Sequence, residues 1–90
     1  MARENLSAAS DHLREAAIAT TDEESEQRLY DQSDQLARLA TADSGPDHGR
    51  LDRITNALNE LAAELDADAK ENVEAARERV VAYRETVEGV

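Results

Sequence analysis

Apolar residues return every three or four positions in four separate runs along this chain. Leu6, Ala9, Leu13 and Ala16 or Ala17 mark one face of a helix over residues 4–19. Leu29, Leu36 and Leu39 or Ala40 mark a second helix over 22–42, which turns "DQSDQ" to solvent. Leu13 and Leu29 are sixteen residues apart, which at about 100° per residue leaves the two stripes roughly 160° apart on one straight helix. One helix cannot bury both, so the chain bends at the β-branched pair Thr20 and Thr21. "TDEE" then supplies a capping box, with Thr21 as cap and Glu24 three residues later.

The third run is the clearest: Leu51, Ile54, Leu58, Leu61 and Leu65 alternate spacings of three and four. Val73, Ala76, Val80, Tyr83 and Val87 continue the rule after a gap of eight where seven is required. A turn at "LDADAKE", capped by Asp68 with Glu71 as its partner, accounts for the slip; one helix over 47–88 that absorbs it is the alternative. Between the second and third runs, "ADSGPDHGR" collects a helix-stopping glycine, the proline and Asp47 as the next cap. The expected fold class is all-α: a small antiparallel bundle of three to four helices built from two helical hairpins. Residues 1–90 then form a single helical domain, with a hairpin at 4–42, a Gly-Pro turn at 43–49 and a second hairpin at 50–88.

Composition narrows the chemistry. Without cysteine there are no disulfides, thiolate metal sites or cysteine nucleophiles. The opening "MARENLSAASDHLRE" lacks the apolar run of a signal peptide, and no stretch approaches the roughly 20 apolar residues that span a bilayer; a cytoplasmic location is expected. Twenty-one Asp and Glu face 10 Lys and Arg, for a formal net charge of -11. With no basic run to offset that field, neither nucleic acid nor a membrane surface is an expected partner. Nine of the ten cations are Arg, there is no Phe or Trp, and Ala occurs 17 times. Such a surface suits molar salt, where the screening length falls to about 3 Å and excluded salts strengthen burial. Leu, Ile, Val and Phe make up under a fifth of the chain, a proportion typical of disordered proteins at high net charge; the helical periodicity argues for a fold instead. A core this sparse favours association, and a homodimer is expected.

Candidate sites are few. His48, beside Asp47 and near Asp52, has the makings of a proton relay or metal ligand, but no further ligands stand at compatible spacing, and a surface histidine in a capped turn accounts for it. Neither His12 nor His48 has a glutamate three residues before it, as a di-iron bundle requires. "DEESE" and "ELDADAKE" lack the acid spacing and central glycine of a calcium loop. No cofactor is therefore expected. In "RLYDQSDQL", Tyr30 stands between Leu29 and Asp31 and two residues after Arg28; it either widens the core stripe or anchors a partner. Arg14, Arg28, Arg38, Arg50 and Arg53 would suit a carboxylate if they converged, although most have an acid three or four positions away. The candidate contacts for a partner or ligand are thus Arg28, Tyr30, Asp31, His48, Arg50 and Arg53, with no catalytic residue among them.

The stretches "RLYDQSDQLARLA", "GPDHGRLDRITNALNEL" and "AYRETVEGV" resemble a family of small acidic helical proteins from halophilic archaea whose function is unassigned. The resemblance runs along most of the chain, most closely from residue 28 onward. It implies a helical fold in a salt-rich cytoplasm and carries over no site residue. The expected function is a non-catalytic interaction or assembly module, homodimeric or holding an unidentified protein partner. The alternative is a carboxylate-binding protein, or a small all-α enzyme, with an arginine-lined pocket at a dimer interface.

Overall fold

The computed structural model describes residues 3–41 and 48–86. Among them are four helices and no strand: α1 (Glu4–Ala19), α2 (Glu23–Thr41), α3 (His48–Glu64) and α4 (Ala67–Thr86). The helices form an all-α bundle in which α1 packs extensively on both α4 and α2, and α3 packs on α4. The remaining edge, between α2 and α3, is barely in contact.

The stripes predicted from spacing are the core. Leu6, Leu13, Leu29, Leu36, Leu51, Leu58 and Leu61 are completely buried, each worth roughly 1.5–3 kcal/mol relative to exposure. Val73, Ala76, Val80 and Tyr83 supply the face of α4. Leu65, placed by its spacing in the α3 stripe, is only partly buried and packs against the rim of the core. Alanines at 9, 16 and 17 fill much of the buried face of α1, and such small side chains let its neighbours approach closely.

Several expectations need correction. "DQSDQ" does not face solvent throughout, because Ser33 at its centre is fully buried. Its hydroxyl donates to the Ser10 carbonyl at 3.1 Å, while the Ser10 hydroxyl donates to the Ser33 carbonyl at 2.9 Å, and the two hydroxyl oxygens lie 2.9 Å apart. Arg14 Nε adds a longer contact to Ser33 Oγ at 3.3 Å. Serine serves here because only a small side chain with its own donor can occupy a close helix crossing and satisfy the buried hydroxyl.

The cap of α2 is Asp22 and not Thr21: its carboxylate accepts the Ser25 amide at 3.0 Å, and the Asp22 amide donates to Thr20 Oγ1 at 3.2 Å. An ionised carboxylate is the stronger acceptor at a helix start. The Ser25 hydroxyl and amide hold the Asp22 carboxyl below its ordinary range. A carboxylate so depressed adds stability above its unfolded pKa and loses it as pH falls through the folded value.

The break between α3 and α4 falls at Leu65 and Asp66, so residues 47–88 are not one helix. Asp66 takes the first position, its carbonyl accepting from the Lys70 amide at 2.8 Å. Asp68, expected as the cap, instead sits in the first turn of α4, where its charge favours the positive helix end. The last correction is Tyr30, which does not widen the core but stands 39% exposed. Asp47 as a cap, residues 43–47 of the Gly-Pro turn, Ala42 at the end of the second predicted helix, and Val87 and residue 88 in the last one lie outside the described residues. His48 and Gly49, assigned to that turn, begin α3.

The serine pair generates a test. Ser33→Val should destabilise the chain by about 1–3 kcal/mol through overpacking and loss of the Ser33 hydroxyl's bond to the Ser10 carbonyl, and Ser33→Ala by about 1 kcal/mol. Urea unfolding followed by circular dichroism measures both; a valine variant as stable as the native chain would show that α1 and α2 are not held at this crossing.

Candidate functional site

Among the described residues, sequence-predicted candidates meet at the open edge between α2 and α3. Gln32 and Gln35 of α2 and Arg50, Arg53 and Ile54 of α3 line a cleft of about 400 Å³. The edge stays open for a reason legible on α2. Arg28, Gln32 and Gln35 occupy the helix positions, spaced four and three, where leucines would have sealed the contact. Leu29 and Leu36, one position on, go into the core instead.

Arg28 spans the edge at its other end, reaching Glu60 at 3.8 Å and Glu64 at 3.9 Å. These are long contacts between exposed groups, worth about 0–1 kcal/mol. They also fix the direction of the two helices: the start of α2 lies beside the end of α3, an antiparallel arrangement. On the far side of α3, Asp52 pairs with Arg84 of α4. The two faces of α3 therefore differ, one tied to α4 and the other facing the cleft.

Gln32 adds an unusual feature. Its Oε1 is buried and has no hydrogen-bond partner among the described residues. An unpaired buried acceptor costs about 1–3 kcal/mol, a penalty at the edge where helix packing is thinnest.

Of the six candidate contacts, Arg50 and Arg53 are in the cleft, and Arg28 lies along the same edge. Tyr30 is elsewhere, over a shallow hollow of about 350 Å³ formed with Glu23, Glu26 and Gln27 on α2. Asp31 is exposed and does not line the cleft. His48 opens α3, and its side chain lies outside the described residues. Spacing alone would have found Gln32 and Gln35, because they continue the Arg28 stripe; glutamines attract no attention when charged groups are being sought. Ile54 was legible as a core residue, and it forms the apolar floor of the cleft.

Among the described residues no group of three or more His, Asp or Glu side chains is arranged to hold a metal ion, and no helix is long and apolar enough to cross a membrane. The cleft offers guanidinium and amide donors together with amide acceptors, the chemistry of reversible polar contact. Fold and edge together define a small all-α bundle with one unsealed helix pair. The chain belongs to a family of unknown function, DUF7553, whose pattern matches residues 1–86 and so takes in all four helices. No curated protein and no solved structure matches the chain.

The Gln32 oxygen gives a direct prediction. Gln32→Leu should raise stability by about 1 kcal/mol, since it replaces an unpaired buried acceptor with apolar contact. Thermal melts of the two proteins decide it, and a lower midpoint for the leucine variant would mean that the glutamine is satisfied in solution.

Proposed function

We propose that this protein is a non-catalytic interaction module that self-associates as a homodimer in a salt-rich cytoplasm. The observation that carries this reading is the unsealed α2–α3 edge, in a bundle whose other three edges are packed. An edge that the chain's own helices leave thinly packed can be covered by another surface, and a twofold pair is the commonest way to do so. The competing arginine-pocket reading needs several guanidinium groups converging on one ligand. Arg50 and Arg53 meet in the cleft, but Arg28 is directed to Glu60 and Glu64, which favours contact between surfaces over a closed pocket.

The high-salt setting rests on the net charge of -11. In dilute buffer this charge opposes both folding and dimer formation, whereas at molar salt a screening length of about 3 Å removes most of the repulsion.

Two measurements test the reading. Light scattering in molar potassium chloride should give the mass of two chains at high micromolar concentration; the mass of one chain there would refute the homodimer. Thermal melts should show a large rise in midpoint between dilute buffer and molar potassium chloride, and a flat or falling midpoint would remove the argument for a salt-rich setting.

A further inference from the structure

α3 carries a second stripe beside its buried one. Arg50, Arg53, Ala57, Glu60 and Glu64 follow at spacings of three, four, three and four, the pattern one helix presents to another along a packed seam. Each member sits next in sequence to a core position or to the rim, so the stripe lies on a flank adjoining the core. The cleft lining at Arg50 and Arg53 and the Arg28 contacts at Glu60 and Glu64 place that flank on the open α2 side.

The order of charge along this stripe runs against the helix dipole, which favours acids at the start and cations at the end. α2 obeys that preference, with Glu23, Glu24 and Glu26 in its first turn and Arg38 in its last. α4 obeys it too, with Asp68 first and Arg84 last. α3 has no acid in its first turn and no cation in its last, while its open flank starts with two arginines and finishes with two glutamates. The electrostatics of the isolated helix do not account for this order.

Reversed end for end, the stripe is its own complement. Arg50 and Glu64 each lie seven residues from Ala57, and Arg53 and Glu60 lie four and three residues from it. An antiparallel pair with its twofold axis at Ala57 therefore sets both arginines of each copy opposite both glutamates of the other, and the small alanine permits close approach at the crossing.

We propose that a second copy of this chain docks on the open α2–α3 edge through α3, antiparallel and crossing at Ala57, with Arg50 and Arg53 receiving the carboxylates of Glu60 and Glu64 from the second copy. This rests on the self-associating reading above and locates its contact. Glu60 and Glu64 are well suited to the role, because their side chains are 71% and 60% exposed and their contacts to Arg28 are long. Each carboxylate keeps acceptor capacity for a second guanidinium. The seam is rich in charge and poor in apolar area, so specificity comes from charge order and the dimer dissociates on dilution.

Charge reversal on the full chain tests the register. Dilution series by analytical ultracentrifugation, at one fixed potassium chloride concentration, give the dimer dissociation constant; circular dichroism checks that each variant keeps its helix content. Arg53→Glu and Glu60→Arg should each raise that constant by about tenfold or more. The double variant R53E/E60R should return it to within about threefold of native, because reversing both partners restores the pairing. Lys70→Glu on exposed α4 should leave it within about twofold of native. A native dimer that Arg53→Glu does not weaken, or a double variant no tighter than either single one, would overturn the α3 contact while leaving self-association intact. A native chain that stays single at every concentration removes both.

Discussion

Four helices in a ring have four edges, and the described residues place apolar side chains so as to seal three. That placement shapes the molecule. α1 lies between α2 and α4 and is buried along much of its length, because alanines and Ser10 let both neighbours approach. α3 and α4 close a third contact through Leu51, Ile54, Leu58 and Leu61 against the valine stripe of α4. At the fourth edge Ile54 is the one large apolar group lining the cleft, and arginine and glutamine stand where leucine would be needed. The place where the fold is weakest is therefore also the place where polar chemistry is available.

The helices were legible because helical packing imposes a period that survives low hydrophobicity. Leu6, Leu13, Leu29 and Leu36 needed no context to be assigned to a core. Caps were less legible, since Thr21, Asp22, Asp66 and Asp68 are all capable side chains and the choice depends on where the helix axis settles. Tyr30 and Ser33 were misplaced for opposite reasons. Aromatic residues usually go inside, yet Tyr30 stands exposed over a hollow lined by Glu23, Glu26 and Gln27; serine usually goes outside, yet the close α1–α2 crossing admits little else. The open edge was harder to see, because a missing contact leaves no motif and becomes visible only when the spacing of Arg28, Gln32 and Gln35 is compared with what a sealed interface would use.

Charge is distributed with more order than the net value suggests. α2 and α4 follow the helix dipole, α3 opposes it, and Asp52 and Arg84 tie α3 to α4 on the opposite side from the cleft. One helix thus serves two neighbours with different rules: apolar contact and an ion pair toward α4, arginines followed by glutamates toward the open side.

The broad contact of α1 with α4 bears on how the chain is made. α1 packs on α4 about as extensively as on α2, so a chain in which α4 is not yet made exposes apolar side chains of α1 that α2 alone does not cover. Contacts between such distant segments slow folding, and unpaired apolar faces invite clumping during that interval. The core therefore closes only once α4 has been made, which places completion of the fold late in synthesis.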